Sequence, residues 1–377
     1  MKTILIYILI GGLSFFSGNL FAASSSITET KKAVLQYITK LSSEKFNGVI
    51  AGQNVYHGNE IINGFPVLVS ELHAKTGKWV GMLGVDYEFS KCFTPEELHA
   101  TNKVLIDYWN QGGLITVNLT PLNPWIIDEK DILKTPGTWN GPGHTQDRSK
   151  VTSLSDLINP EKQVYQAWHK KLDRVAHALA ELQQAGVIVL WRPMQEMNGN
   201  WFWWGMASHP KDPTPYIDLY RHMHDYFVTK KGLRNLIWVY SPNSSFGENN
   251  RSSWNRTVDW AYPGDDVVDI VAGTAYSDQL LIDDYEAYAA LGKPLGMAEY
   301  GPDISRKKSD NSYQLDTRNY LKQIKNNYPR VAYWVSWHWY KEANMGAIIK
   351  NAHFNELMNH PDVITRRDIP RWRPGHQ

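Results

Sequence analysis

Eight short apolar runs, spaced along the chain and separated by stretches with helical periodicity, narrow the possible folds more than any other feature. They fall at 48–52, 79–84, 114–118, 187–191, 236–240, 268–272, 294–298 and 331–335. Runs this short without polar alternation belong to strands buried on both faces. Between them, amphipathic patterns predict helices over 28–41, 95–110, 161–185, 215–230, 282–291 and 312–328. The longest is followed by Gly186, a helix stop. Alternation of this kind predicts an α/β fold with a parallel sheet, closed as one (β/α)8 TIM barrel over 24–377. A doubly wound open sheet is the competing arrangement. It calls for a Gly-rich phosphate loop after the first strand, and Ala51, Gly52, Gln53 and Asn54 do not form one.

Residues 1–23 read as an export signal: Lys2 is the positive region, 4–16 the apolar stretch, and Ala22 and Ala23 the small-residue cleavage neighbourhood. The expectation is an exported, monomeric protein that leaves the membrane once the signal is removed. Cys92 is the single cysteine, so no intramolecular disulfide forms and packing must carry stability. It lies ahead of a helix opening at Thr94 and Pro95, with no base partner evident from the sequence. The histidines are scattered singly with no HExxH spacing, which predicts no metal site, and no cofactor is expected. Acids and bases nearly balance, 38 against 39, and no basic stripe is present to track phosphates, so nucleic acid is not an expected partner. Sixteen tryptophans without excess charge suit a neutral, carbohydrate partner instead.

The segment 191–205, WRPMQEMNGNWFWWG, places Glu196 just past a strand and beside several indoles. A carboxyl group held from water by apolar rings has a raised pKa and stays protonated, as a general acid must. Indole faces stack on pyranose C–H faces, and Asn198 is placed to read a hydroxyl. The alternative is a Trp-rich corner of core with a satisfied glutamate. A second carboxylate, Glu299, ends the seventh run. Barrel enzymes carry catalytic groups at the C-terminal ends of strands, and glycoside hydrolysis needs two carboxylates, about 5–5.5 Å apart when configuration is retained. A structural ion pair of Glu299 with Lys293 or Arg192 is the alternative. Arg192 suits a supporting role, and Tyr276 is placed to hydrogen-bond Glu299 or simply to be buried. Trp125, Trp203, Trp204, Trp334 and Trp339 are candidate sugar platforms or core.

Together with 235–243, 262–265 and 293–301, the 191–205 segment resembles glycoside hydrolase family 26, over nearly all of the chain beyond the signal. Most members of that family are endo-β-1,4-mannanases, and some cleave β-1,3-1,4-glucan or β-1,3-xylan. The resemblance implies a retaining mechanism with Glu196 as acid/base and Glu299 as nucleophile. It also implies Trp201 at the cleavage subsite, Tyr276 on the nucleophile and Trp337 as a sugar platform. Two positions depart from the family pattern. Gln195 stands where a histidine usually precedes the acid/base, and Leu119 and Thr120 replace a Trp-His pair ahead of Pro121, Leu122, Asn123 and Pro124. Gln195 and Thr120 are therefore expected sugar contacts whose chemistry differs from the family's, and Asn123 is a further expected sugar contact. The expected partner is a β-linked polysaccharide, either a plant glycan or the producer's own exopolysaccharide. A carbohydrate-binding protein on the same scaffold is the competing class.

Overall fold

The computed structural model describes residues 14–89, 91–126, 145–244, 255–282, 284–302, 314–338 and 346–371. Eight parallel strands form a closed barrel: β1 Val49–His57, β2 Met82–Asp86, β3 Leu114–Leu119, β4 Val189–Pro193, β5 Leu236–Tyr240, β6 Ile270–Tyr276, β7 Leu295–Gly301 and β8 Val331–Ser336. Each pairs with the next, and β8 returns to β1 through Ile50↔Tyr333 and Gly52↔Val335. The strands are almost wholly buried, which explains why their sequences show no polar alternation. The (β/α)8 expectation holds, and the open sheet is excluded because no parallel edge remains between β8 and β1.

The surrounding helices include α1 Ser14–Leu41, α2 Ile61–Phe65, α3 Glu71–Thr76, α4 Pro95–Asn110, α5 Gln163–Gln184, α6 Thr214–Asp225, α7 Tyr285–Ala290 and α8 Arg318–Asn327. Helix α4 begins where expected because Thr94 and Glu97 form a reciprocal capping box, with proline just inside. The two short helices between β1 and β2 were not legible, because a π-turn over Pro66–Ser70 interrupts their periodicity. No described helix is long and apolar enough to cross a membrane.

Cys92 has side-chain partners that its sequence neighbourhood does not reveal. Its thiol donates to Glu88 Oε1 at 2.6 Å, with Lys171 Nζ at 3.1 Å and an Arg174 nitrogen at 3.2 Å. Burial, then the Glu88 charge, pushes the thiol pKa up, which makes it a poor nucleophile. Lys171 also pairs with Glu88, which accepts the Leu122 amide at 3.3 Å. This buried cluster ties the segment after β2 to α5 and to the segment after β3, fixing the barrel mouth beside Thr120.

Candidate active site

Two carboxylates, expected at the C-terminal ends of two different strands, are both at the mouth, each only 7% exposed. Glu196 follows β4 in a backbone turn where Met194 (φ 46°) and Glu196 (φ 57°) are both left-handed. Such residues cost about 1–3 kcal/mol each and survive where surroundings over-determine them. Here the Met194 amide donates to Leu119 O at 2.8 Å and the Glu196 amide to Ser241 O at 2.7 Å, so β3 and β5 clamp the turn from either side. Glu299 lies in β7 next to an irregularity: Gly273 pairs with Met297, but the next residue, Thr274, pairs with Glu299. The extra residue, Ala298, makes a bulge, a device that re-aims side chains beside functional sites.

Three donors converge on Glu196. Trp201 Nε1 donates to Oε2 at 2.6 Å; Asn243 Nδ2, at 3.2 Å, and the Thr274 hydroxyl donate to Oε1. These bonds favour the carboxylate, yet burial, followed by the nearby Glu299 charge, outweighs them and raises the pKa to about 7. Glu299 has the opposite setting. The fully buried Arg192 donates to its Oε2 at 2.9 Å and the Tyr276 hydroxyl donates to Oε1. Arg192 is itself held by Ser241 Oγ at 2.8 Å. Burial and then the Glu299 charge push the Tyr276 hydroxyl well above its ordinary pKa, so it stays a donor. Glu196 is thus pushed toward its acid form, while its neighbour accepts from a guanidinium and a phenol, an unlike pair of settings of the kind that acid-plus-nucleophile chemistry needs.

This electrostatic division has a direct test. In protein with 13C-labelled glutamate carboxyls, one carboxyl should titrate near pH 7. Since the Glu299 charge raises that pKa, Glu299→Gln should move the step to lower pH; a step that stays put would show burial alone to be responsible.

Trp201 is half-buried beside Glu196. Its ring lies against the backbone of Gly199, where a Cβ would fall inside the indole; Gly301 similarly admits the ring of Tyr276. Any side chain at these positions displaces a partner of one carboxylate. Trp337, 5% exposed at the end of β8, packs near Phe89 and His57, at 6.1 and 6.2 Å between ring centres, and against His338 at 4.7 Å.

Several expected sugar contacts have structural duties instead. Asn198 donates to Asn243 O at 2.8 Å and to Arg256 O at 2.9 Å and accepts the Asn243 amide at 2.8 Å, so its amide braces Asn243. Trp204 is fully buried, stacked on Phe202 at 4.4 Å, with Nε1 bonded to Gln195 O at 2.8 Å. It forms a wall behind the turn and presents no face to sugar. Trp203 and Trp334 are likewise core, while Trp339 lies outside the described residues. Asn123 accepts the Trp125 amide at 2.9 Å and donates to Asp147 O at 2.5 Å and Ser149 O at 3.2 Å, anchoring the loop after β3.

Residues 23–368 match the family model for "Glycosyl hydrolase family 26". The chain belongs to glycosyl hydrolase family 26. It is 32% identical over 361 residues to mannan endo-1,4-beta-mannosidase A and B of Caldalkalibacillus mannanilyticus, a match covering 92% of this chain and 63% of that protein. A mannan endo-1,4-beta-mannosidase of Bacillus subtilis strain 168 is 30% identical over 330 residues, covering 85% of this chain and 83% of the relative. Among solved structures, Bacillus subtilis mannanase man26 superimposes with a TM-score of 0.71 at 26% identity, covering 91% of this chain and 94% of that one. GH26A from Muricauda sp. MAR_2010_75 gives 0.70 at 25% identity, covering 90% and 97%.

In this family-26 chain the two departures are joined. Gln195 Nε2 donates to Thr120 Oγ1 at 2.7 Å, and the Thr120 hydroxyl donates to Asp86 Oδ2. Asp86, fully buried, also accepts the Thr120 amide at 3.1 Å and the Glu88 amide at 2.9 Å. Burial raises its pKa, opposed first by the charge of His57. Gln195 and Thr120 are thus a hydrogen-bonded pair in place of two imidazoles, braced from β2. Asp86, Asn243 and Thr274 were not singled out from the sequence, although Asp86 ends β2, Asn243 lies just beyond β5 and Thr274 lies two residues before the end of β6. The barrel rule would have found Asp86 had the second run not been ended at Gly84, two residues early.

Proposed function

We propose that this chain is an exported, retaining endo-β-1,4-mannanase. One observation carries the reading: a buried carboxyl group whose pKa is raised to about 7, Glu196, beside a second, Glu299, that accepts from Arg192 and Tyr276. The names of relatives matched over most of this chain supply the sugar. Export draws on the apolar leader ahead of Ala23.

In the first half-reaction a Glu299 oxygen forms a bond to the anomeric carbon as the bond to the departing sugar oxygen breaks. Glu196 passes its proton to that oxygen. Departure of the proton leaves Glu196 anionic, with Trp201, Asn243 and Thr274 already placed to stabilise the charge. As Glu299 becomes an ester it loses its charge, which also eases ionisation of Glu196. Water then attacks the anomeric carbon, Glu196 takes its proton, and the Glu299 ester bond breaks. The side chain of Trp201 is fixed at the point of cleavage by its bond to Glu196, with part of the indole open to substrate.

A second reading draws on the Gln195–Thr120–Asp86 arrangement. Neutral amide and hydroxyl groups replace imidazoles, which suits a related polymer such as mixed-linkage β-glucan, β-1,3-xylan or the producer's exopolysaccharide. Product analysis on these substrates and on β-1,4-mannan decides between the readings. Mannooligosaccharides of several lengths, released early, are the expected outcome; products from another polymer alone would transfer the assignment to it.

A further inference from the structure

A cavity of about 690 Å³ opens between the segment after β3 and the first turns of α5. Parallel topology puts it at the same end of the barrel as the carboxylates. Its lining includes Trp125, Thr152, Asp156, Lys162, Gln163 and Gln166, and none of the side chains that surround Glu196 or Glu299.

The Trp125 indole on its wall is only partly buried and is held firmly. Its Nε1 donates to Thr152 Oγ1 at 3.2 Å, its backbone amide to Asn123 Oδ1 at 2.9 Å, and its ring packs edge-on with Trp203 at 5.7 Å. Trp203 is in turn fixed by Pro121 O at 2.7 Å and packed against Trp168 and Trp204. An aromatic surface immobilised before binding loses little conformational freedom when a ligand arrives. The rim offers both donors and acceptors: two exposed glutamine amides and the Asp156–Lys162 ion pair at 3.6 Å. Asp156 offsets the Lys162 charge and the exposed Lys170 adds one more cation, so it is the mix of neutral donors and acceptors beside the indole, not charge, that suits a polyhydroxylated ligand. A flat apolar patch bordered by mixed hydrogen-bonding groups is complementary to a pyranose.

We propose that this cavity is a second, non-catalytic glycan-binding site that takes a short run of pyranose units from the polysaccharide substrate. It rests on the reading that a β-linked polysaccharide is cleaved at Glu196 and Glu299. Holding the polymer beside the mouth raises its local concentration at the cleavage point. Short oligosaccharides occupying only the mouth gain nothing from it.

Trp125→Ala and Gln166→Ala test the proposal. Both should leave kcat/KM on a trisaccharide or tetrasaccharide unchanged, while Trp125→Ala raises KM on the polymer about 2- to 10-fold with kcat preserved, the size of one aromatic contact. In parallel, gels cast with mannan, mixed-linkage glucan or xylan should retard the Glu299→Ala protein, and adding either substitution should reduce the retardation. Gln166 is an exposed helix position, so its variant carries the test should Trp125→Ala fail to fold. Retardation that neither substitution changes, or absent with every polymer, overturns the site even where hydrolysis is normal. An equal loss on short substrates also overturns it as a separate site. Failure of the wild type to cut mannan counts against the mannanase reading, whereas Trp125-dependent retardation by another polymer still supports the site.

Discussion

Glu299→Ala should abolish hydrolysis, lowering kcat by on the order of 10⁴-fold or more, as removal of a covalent nucleophile does. The same substitution leaves the fully buried Arg192 without its counter-charge, which should cost about 3–5 kcal/mol of stability. A melting curve and a polymer-binding assay on the same preparation separate the two losses. With azide present, the small anion can enter the space vacated by the carboxylate and attack the anomeric carbon from the same face. A glycosyl azide of inverted configuration would identify Glu299 as the nucleophile. Retained hydrolysis in a folded Glu299→Ala protein would remove Glu299 from the mechanism.

Glu196→Ala should have a different signature. Without a proton donor, kcat/KM on polymer should fall by about 10²–10⁴-fold. A substrate with a highly activated aryl leaving group needs no protonation, so its first step should survive and the glycosyl-enzyme should accumulate because no base activates water. In the wild type, the alkaline limb of kcat/KM should fall near pH 7, where Glu196 loses its proton. That limb should disappear in the variant on the activated substrate. A limb that persists would assign the titration to another group. Equal losses on polymer and activated substrate would mean that Glu196 does not act through proton transfer.

The barrel was legible because strands buried on both faces cannot hide their apolar runs, and α4 because its capping box is a local signal. Both carboxylates were legible from the rule that barrel chemistry sits at C-terminal strand ends. What the 191–205 segment could not reveal is which way each side chain turns. Two left-handed residues bracket Gln195, so helical or strand spacing does not predict the faces of Asn198, Trp203 or Trp204. All three turned inward, and only Trp201 keeps a face at the site. Thr274 was hidden for a related reason: a bulge at Ala298 sets its pairing with Glu299, and bulges leave no reliable mark in one sequence. The Glu88–Cys92–Lys171–Arg174 cluster depends on contacts between residues about 80 positions apart, beyond the reach of local pattern.

The departures at Gln195 and Thr120 acquire a physical meaning only in three dimensions. Read separately, they are two substitutions of imidazole. In the fold they are one hydrogen-bonded unit anchored on the buried Asp86, neutral groups in place of titratable rings. Among the described residues, that unit makes no hydrogen bond to the side chain of Glu196 or Glu299.

The most direct test is the anomeric configuration of the first product, followed by proton NMR during hydrolysis of a β-1,4-mannohexaose. The β anomer should appear first and only later equilibrate with the α form, as two displacements at Glu299 and then at water require. Initial release of the α anomer would contradict a glycosyl-enzyme on Glu299 and reassign the pair to single-displacement chemistry.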